Sequence, residues 1–267
     1  MTAKIVTITS GKGGVGKTTC TANLAVALAS ENQKVVCIDS DIGLRNLDVI
    51  LGLENRIVYD IVDIVEGRCR LRQAMIRDKR FTELYLIPAA QTRDKSALSP
   101  SDMVRLCDEL KPDVDWILID SPAGIERGFR NAIAPCDMAL VVTNPEVSAV
   151  RDADRIIGLI EAEEKGPPNL ILNRLNFEMV RKGDMLSPKD VLELLAINLI
   201  GIIPEDESVM VAGNRGLPVA MDGKSKAGKE FQNIAKRLKG EEIPFLDMDE
   251  KPDIFQRLSR VFHPGGN

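Results

Sequence analysis

A glycine-rich stretch near the start of the chain limits the possible folds more than any other feature of the sequence. Residues 10–19 read SGKGGVGKTT and contain the phosphate-loop pattern G-x-x-x-x-G-K-[ST] at Gly11, Gly16, Lys17 and Thr18. An apolar, β-prone run precedes the stretch and a run with helical character follows it, as the motif requires. A glycine-rich turn without a ligand would not need all of these matches. The sequence therefore predicts a strand–loop–helix unit that binds the phosphates of a nucleotide.

The residue types in the loop suit phosphate chemistry. Glycines allow the backbone to curl so that successive N–H groups point at a phosphate, and the following helix adds the partial positive charge of its N-terminus. We expect Lys17 to contact the β- and γ-phosphates and the Thr18 hydroxyl to help hold Mg²⁺. The residues expected to bind nucleotide here are Gly11, Lys12, Gly13, Gly14, Val15, Gly16, Lys17, Thr18 and Thr19.

Composition argues against several other classes of protein. A formal charge of −5 and a pI of about 5.2 disfavour a broadly basic surface that coats DNA. The single histidine, His263, excludes a multi-histidine metal site. The five cysteines have no C-x-x-C spacing, which indicates reduced thiols in a cytosolic compartment. Because no apolar run approaches the roughly 20 residues of a membrane span, we expect no membrane-spanning helix. Because the N-terminus leads directly into a predicted strand, we expect no signal or transit peptide.

Strand-like and helical patterns alternate along most of the chain. The runs VVCID and WILID are apolar at successive positions, as in central strands buried on both faces. The fold class expected is α/β, with a mostly parallel central sheet flanked by helices on both faces and ligands at the carboxyl ends of the strands. No Gly/Pro/Ser-rich linker divides residues 1–240, so we expect one domain there. The predicted strands are 4–8, 35–39, 84–88, 116–120, 138–143, 169–173 and 199–203, and the predicted helices are 17–30, 100–110, 148–162 and 188–195.

Two of the predicted strands end in carboxylates. Asp120 closes the WILID strand, at the position where phosphate-loop proteins place an acid associated with Mg²⁺. Asp39 is the last residue of the VVCID strand, and Asp41 follows it by two residues. A carboxylate at this position could orient a water molecule that attacks a phosphate. An aspartate at a strand end can instead simply cap the next turn. The residues alone leave both interpretations open.

Lys12, a second lysine directly after the first glycine of the loop, is not required by the phosphate-loop motif. It would add a cation beside phosphates that Lys17 and Mg²⁺ already neutralise. One interpretation is a solvated lysine. The other is a lysine that points away from its own site and completes the site of a second subunit.

The C-terminal residues form a second distinct pattern. Five apolar residues of 253–263 fall on one face of a helix, and a Pro-Gly-Gly sequence follows. The preceding stretch 241–252 is acidic and reads as a tether. A terminal helix docked on the protein's own core and a helix that lies on an anionic membrane surface both fit this pattern. The apolar residues are Ile254, Phe255, Leu258, Val261 and Phe262, and the accompanying cations are Arg257 and Arg260.

The glycine-rich loop with its additional lysine resembles the deviant phosphate loop of the MinD/ParA family of dimerising ATPases. Further segments, spread over essentially the whole chain, resemble the branch of that family that places the division site in bacteria and plastids. The resemblance implies ATP and Mg²⁺ as cofactors and an ATPase that forms a homodimer when ATP is bound. The matching segments are 39–48, 88–95, 120–126, 143–148, 181–186 and 203–206.

The resemblance also implies roles for single residues. Lys12 matches the lysine that crosses the dimer interface to the partner's phosphates, Asp41 the aspartate that orients the hydrolytic water, and Asp120 the acid that reaches Mg²⁺ through water. The implied catalytic residues are Lys12, Lys17, Asp41 and Asp120, and those around the metal are Thr18, Asp41 and Asp120. ATP is favoured over GTP because the chain has no Asn-Lys-x-Asp guanine motif. The adenine-binding region is matched by Asn173, Arg174, Pro204, Glu205 and Asp206.

Partners and location follow from the same resemblance. Arg45, Asp152 and Asp154 match a surface used by family partners, although exposed charges are also common on solvated faces. The partners implied are the division inhibitor MinC and the topological-specificity factor MinE. Proteins of this branch end in a membrane-targeting helix, which favours the membrane interpretation of 253–263. The implied function is an ATPase that binds the membrane as a dimer, recruits the division inhibitor and is released by hydrolysis. It would be cytoplasmic, and peripheral on the cytoplasmic face of the inner membrane when ATP is bound.

Three alternatives remain. A ParA-type chromosome- or plasmid-partitioning ATPase would need a basic DNA-binding face, which the acidic pI disfavours, so no specific nucleic acid is expected. A relative of the nitrogenase reductases would hold an iron–sulfur cluster between two subunits, but Cys107 and Cys136 have no supporting motif. The non-enzymatic alternative is a nucleotide-dependent scaffold with negligible turnover.

Overall fold

The computed structural model describes residues 2–221 and 223–245. Within these residues one sheet has eight strands, in the spatial order β3-β4-β2-β5-β1-β6-β7-β8. All neighbouring strands of this sheet are parallel except β3 and β4, which are antiparallel. The strands are β1 Lys4–Thr9, β2 Val35–Asp39, β3 Ile76–Arg77, β4 Leu84–Ile87, β5 Trp116–Asp120, β6 Met138–Thr143, β7 Asn169–Leu175 and β8 Asn198–Pro204.

Helices cover both faces of the sheet, because its side chains alternate between two apolar clusters. In β2, for example, Val36 and Ile38 belong to the cluster that includes α5, α6, α7 and α9, whereas Val35 and Cys37 belong to the cluster that includes α1, α2 and α11. The helices are α1 Lys17–Ser30, α2 Leu47–Leu51, α3 Ile61–Val65, α4 Leu71–Ala74, α5 Pro100–Leu110, α6 Arg127–Ile133, α7 Val147–Ala162, α8 Phe177–Lys182, α9 Pro188–Leu195, α10 Glu207–Asn214 and α11 Lys226–Leu238. The predicted α/β fold with a helix-covered, mostly parallel sheet is confirmed.

Strand order determines which loops meet. β1 lies between β5 and β6, and Ile8 near its carboxyl end is in register with Asp120. On the other side of β5, Asp39 at the end of β2 is also in register with Asp120. The glycine-rich loop and both predicted carboxylate positions therefore lie together at the carboxyl ends of the parallel strands.

The sequence-based prediction missed several elements. The five-residue helices α2 and α3 and the four-residue α4 are too short to show a helical period. Strand β3 has two residues and pairs antiparallel at the edge of the sheet. Helix α11 did carry a signal, because Ser225 caps its N-terminus and Phe231, Ile234, Ala235 and Leu238 follow a helical spacing.

The end of α11 is fixed by a buried ion pair. Arg237 of α11 donates from Nη1 to Glu230 Oε1 at 2.7 Å and to the carbonyl oxygen of Ile200 in β8 at 2.8 Å. The same guanidinium donates to the carbonyl oxygens of Ile243 and Pro244. The first part of the predicted tether, 241–245, thus contacts the body of the domain through Arg237.

The remainder of the predicted tether and the predicted membrane helix 253–263, with Ile254, Phe255, Leu258, Val261, Phe262, Arg257 and Arg260, lie outside the described residues. Among the residues that the structure does describe, no helix combines the length and apolar character needed to cross a membrane.

We expect Glu230→Ala to destabilise the fold strongly. The Glu230 side chain is fully buried, and its removal would leave the Arg237 guanidinium, which is only 9% exposed, without a counter-charge. Loss of one partner of a buried ion pair costs about 3–5 kcal/mol of unfolding free energy. Urea denaturation, followed by fluorescence of the buried Trp116, measures this loss.

The matched control is Glu193→Ala, which removes an exposed carboxylate that lies 3.8 Å from Lys189. Exposed pairs of this kind contribute little, so the control should unfold at nearly the wild-type urea concentration. Equal midpoints for the two variants would contradict the structural role given to Glu230.

Candidate nucleotide-binding site

The loop between β1 and α1 turns at two glycines with positive φ, Gly14 at 79° and Gly16 at 100°. Such angles are strained for residues with a Cβ atom, so glycine is required at these positions. Helix α1 then begins at Lys17, and in the described structure no side chain caps its N-terminus and no acidic residue lies in its first turn. The first-turn N–H groups and the positive end of the helix dipole therefore suit an anion.

Close contacts with two other elements hold the loop in place. A Cβ atom at Gly11 would overlap the backbone of Asp152 in α7, and one at Gly16 would overlap the Asn173 side chain in β7. Asn173 also donates from Nδ2 to the carbonyl oxygen of Val15 at 2.7 Å. The loop is thus wedged between α7 and β7 and cannot accept side chains at these two glycines.

Lys17 lies at the start of α1 with only 8% of its surface exposed. Burial lowers its pKa below the ordinary value, and the carboxylates of Asp120 and Asp41 act in the opposite direction. The ammonium group is therefore held beside two acids at the phosphate loop. A phosphate bound at the α1 N-terminus would gain a cation that is already desolvated.

Asp120 is buried at the end of β5, in register with Asp39 of β2. Burial raises the pKa of Asp120, and the neighbouring charge of Asp39 raises it further, while hydrogen bonds from Thr18 and Thr21 and the charge of Lys17 oppose the rise. Thr21 Oγ1 lies 3.1 Å from Asp120 Oδ1. The acid is thus oriented by the Thr21 hydroxyl of the helix that follows the loop.

Asp39 organises the segment that carries Asp41. Its carboxylate accepts from the backbone N–H groups of Asp41 at 3.0 Å and of Asn46 and Leu47 at 3.2 Å. Burial raises the pKa of Asp39, and these backbone hydrogen bonds oppose the rise. Asp41 itself is half-buried; burial raises its pKa, and the charges of Lys17 and Lys95 act against that. Asp39, the last residue of β2, therefore holds the following backbone in place, whereas Asp41 lies close enough to Lys17 for their charges to interact.

The oxygen atoms near Lys17 suit Mg²⁺. Thr18 supplies a hydroxyl close to the Asp120 carboxylate, and hydroxyl and carboxylate oxygens are hard ligands of the kind that Mg²⁺ prefers. Within the described residues, no group of three or more His, Cys, Asp or Glu side chains could hold a metal alone.

Lys12 does not point at the phosphate side of its own loop. Its ammonium lies 3.4 Å from Glu146 Oε2 and 3.2 Å from Ser148 Oγ, at the start of α7. The Lys12 side chain is 43% exposed, in contrast to the buried Lys17. This geometry is compatible with both interpretations of Lys12, a solvated lysine and a lysine directed away from its own site.

A cleft of about 560 Å³ adjoins the loop at the carboxyl ends of β7 and β8. All residues of the predicted adenine region line it: Asn173, Arg174, Pro204, Glu205 and Asp206. Gly16 and Thr19 of the phosphate loop also line it, together with Val49 and Ile50 of α2 and Met210 of α10. The volume suits a nucleoside whose phosphates reach the loop. Asp206 also caps α10, because its Oδ1 accepts from the Ser208 N–H group at 2.9 Å.

The three residues predicted for partner binding differ in exposure. Asp154 is exposed on α7, whereas Asp152 is half-buried because its backbone packs on Gly11. Arg45 is largely covered, and its Nε lies 3.0 Å from the buried Asp48 carboxylate. The partner surface remains a prediction.

Sequence reasoning did not identify Thr21, Glu146 and Ser148 as neighbours of the site. For Thr21 a signal existed, because it lies one helical turn after Lys17 on the same face of α1. Glu146 and Ser148 meet Lys12 only through the packing of α7 against the loop, and no local pattern connects them.

Comparisons with known proteins show the family to which the chain belongs. Residues 6–219 match the model of the CobQ/CobB/MinD/ParA nucleotide binding domain. The septum site-determining protein MinD of a Synechocystis species is 55% identical over 259 residues, which cover 96% of this chain and 97% of that protein.

Two solved structures of similar proteins have the same fold. One is in the MinC:MinD cell division protein complex of Aquifex aeolicus, with a TM-score of 0.86, 49% identity, and coverage of 92% of this chain and 99% of that one. The other is the septum site-determining protein MinD of Pyrococcus horikoshii complexed with Mg-ADP, with a TM-score of 0.79, 30% identity, and coverage of 88% and 96%. The chain therefore belongs to the CobQ/CobB/MinD/ParA nucleotide-binding family and, within it, to the septum site-determining MinD group.

Proposed function

We propose that the protein is a Mg²⁺-dependent ATPase that dimerises on ATP, binds the membrane as a dimer and places the division site by recruiting a division inhibitor. The observation that carries this proposal is the pair of lysines in one loop. Lys17 is buried beside Asp120 and Asp41, whereas Lys12 of the same loop is exposed and points to α7. One lysine suits the protein's own phosphates, and the other is accessible to a second copy.

Each residue around the phosphates has a separate task in this proposal. The loop N–H groups and Lys17 would bind the β- and γ-phosphates, and Thr18 and Asp120 would hold Mg²⁺, Asp120 through water. Bound Mg²⁺ would neutralise charge that develops on the phosphates during transfer. Asp41 orients the attacking water, a role that its position on the Asp39-capped segment supports. The cleft at Asn173 and Pro204 takes the adenosine group.

The proposed partners are MinC, MinE, a second copy of the chain and an anionic membrane surface. The relative in Aquifex aeolicus was solved as a MinC:MinD complex, which supports MinC as a partner of this chain. MinE would stimulate hydrolysis and so release the protein from the membrane. The surface at Arg45, Asp152 and Asp154 is the proposed contact for the protein partners MinC and MinE. Location would then alternate between the cytoplasm and the cytoplasmic face of the inner membrane.

Membrane binding is proposed to reside in 253–263. A single short amphipathic helix binds weakly, because its folding offsets much of the gain from burial of its apolar side chains. Two helices on one dimer gain from a high effective concentration, by about 10²–10⁴-fold. ATP would therefore control membrane residence through dimerisation.

The partitioning alternative is less well supported. Similarity to the ParA family ATPase of Chlorobium tepidum is 24% in sequence, and at this level it speaks for the fold alone. The formal charge of −5 also disfavours a DNA-coating surface. Salt-sensitive binding of duplex DNA would favour partitioning.

We expect Lys17→Ala and Lys12→Ala to fail at different steps. Lys17→Ala removes the buried cation of the loop and should lose ATP binding. Lys12→Ala leaves that pocket intact, so it should bind ATP but remain monomeric. Calorimetric titration with ATP and size-exclusion chromatography with light scattering separate these outcomes. An ATP-bound dimer of Lys17→Ala would contradict the phosphate assignment, and an ATP-bound dimer of Lys12→Ala would contradict the half-site.

We expect Asp41→Ala to bind ATP and dimerise but to release phosphate about a hundredfold more slowly, the lower end of the loss seen for removal of a group that handles the attacking proton or water. Phosphate release with anionic vesicles and MinE present measures the rate. The control is Asp108→Ala, which makes the same substitution at an exposed aspartate of α5 and should retain the wild-type rate. Equal rates for both variants would remove Asp41 from the mechanism.

We expect Phe255→Glu to abolish ATP-dependent sedimentation with anionic vesicles while the dimer persists in solution. The substitution places a carboxylate on the apolar face that is proposed to enter the bilayer surface. Phe245→Glu alters the same residue type before the predicted helix, on a ring that stacks with Arg237, and should still sediment. Sedimentation of Phe255→Glu at the wild-type level would show that the anchor lies elsewhere.

A further inference from the structure

Besides the ends of β7 and β8, two helices that are far apart in the sequence line the proposed adenosine cleft and form its helical walls. One wall is α2, which contributes Val49 and Ile50, and the other is α10, which contributes Val209 and Met210. Neither wall is a strand of the sheet. The distance between α2 and α10 across the cleft therefore depends on the contacts that hold these two helices in place.

Arg80, in the turn between β3 and β4, joins the ends of the two walls. Its Nη2 donates to the carbonyl oxygen of Leu51, the last residue of α2, at 2.7 Å. Its Nη1 donates to the carbonyl oxygen of Gly216, just beyond α10, also at 2.7 Å. One planar guanidinium therefore binds the C-terminal end of both walls.

Asp78 fixes the orientation of this guanidinium. The Asp78 side chain is fully buried and accepts from Arg80 Nη2 at 2.6 Å and from Nε at 3.0 Å. Such a two-point contact holds the plane of an arginine better than a single contact does. Its remaining donors are thereby directed at the two carbonyl groups.

Two glycines allow the walls to approach closely at the same place. A Cβ atom on Gly216 would lie 2.6 Å from Gly52 Cα, and one on Gly52 would lie 2.9 Å from the Gly216 carbonyl oxygen. Both glycines have positive φ, at 64° and 65°. The backbones following α2 and α10 are therefore in direct contact beneath Arg80.

We propose that Arg80, oriented by Asp78, is a positioning residue that sets the width of the cleft and hence the affinity for the adenosine part of the nucleotide. This inference rests on the proposed function, which places adenosine in that cleft. Arg80 does not line the cleft, and it is remote from the phosphate loop in the sheet order, because β3 and β4 lie at the edge. Its loss should weaken binding of the nucleoside and spare binding of the phosphates.

The test compares two ligands, ADP and inorganic pyrophosphate, each titrated calorimetrically with Mg²⁺ into the full-length chain. Arg80→Met should weaken ADP binding at least tenfold and change pyrophosphate binding less than twofold. Retained pyrophosphate binding also reports that the loop is folded. Arg80→Lys keeps the positive charge but loses the planar fork that binds Asp78 and both carbonyl groups together, so it should recover only part of the ADP affinity. Arg105→Met removes an exposed arginine paired with Asp102 and should match the wild type with both ligands.

Gly216→Ala provides a test that leaves Arg80 in place. The added methyl group would push the two walls apart, and ADP affinity should again fall while pyrophosphate affinity is kept. Gly183→Ala is the matched control, because Gly183 also has a positive φ, 78°, but nothing lies within 4 Å of the added atom. This control carries the same kind of backbone strain without widening the cleft.

Unchanged ADP affinity in Arg80→Met and Gly216→Ala, or an equal loss for ADP and pyrophosphate, would overturn the inference. A wild-type chain that binds guanosine diphosphate as tightly as ADP would instead contradict the ATP assignment of the proposed function. In that case the role of Arg80 is still decided by comparing how much Arg80→Met weakens nucleotide binding with how much it weakens pyrophosphate binding.

Discussion

The charge balance around Lys17 is the constraint on which the rest of the site depends. A lysine that is largely buried at the start of α1 is tolerated because Asp120 and Asp41 lie beside it, and the buried Asp120 is tolerated because Lys17, Thr18 and Thr21 face it. Each group would be costly without the others, since a desolvated charge needs a partner. The carboxylates of β2 and β5 sit in register and repel one another, so this arrangement favours added positive charge. The site is thus prepared for a metal cation as well as for the phosphates that accompany it.

The same site explains why the loop needs glycine at particular positions. Gly11 and Gly16 contact Asp152 and Asn173 so closely that neither position can carry a side chain. These contacts connect the loop to α7 and β7, the elements that also hold Glu146 beside Lys12 and line the nucleoside cleft. A nucleotide bound in the loop would therefore contact elements that also hold Lys12, at the proposed dimer interface, and that line the proposed nucleoside cleft. Nucleotide state and dimerisation could be coupled without any large movement of the sheet.

Much of the fold could be predicted because its main strands are unusually uniform. The five-residue runs of β2 and β5 are apolar at nearly every position and buried throughout, so their type and bounds follow from the sequence. The phosphate loop, Asp120 and the lining of the cleft were likewise predictable, since they belong to contiguous motifs at strand ends. The short helices were not, because α2 depends on tertiary contacts at both of its ends rather than on its own pattern. For the same reason the contact of Lys12 with Glu146 and the bridge made by Arg80 could not be predicted, as each joins residues that are distant in the sequence.

Helix α2 shows how these long-range contacts connect the parts of the site. Its first N–H group binds the Asp39 carboxylate, and its last carbonyl group binds the Arg80 guanidinium. An anion at the N-terminus and a cation at the C-terminus both match the helix dipole, and together they stabilise a five-residue helix that would not persist alone. The segment between Asp39 and α2 carries Asp41, and the helix itself forms one wall of the nucleoside cleft. A nucleoside that packs against Val49 and Ile50 would therefore restrain the helix that follows Asp41, the proposed hydrolytic aspartate. Recognition of the base and orientation of the attacking water would then depend on one short helix held by two charges.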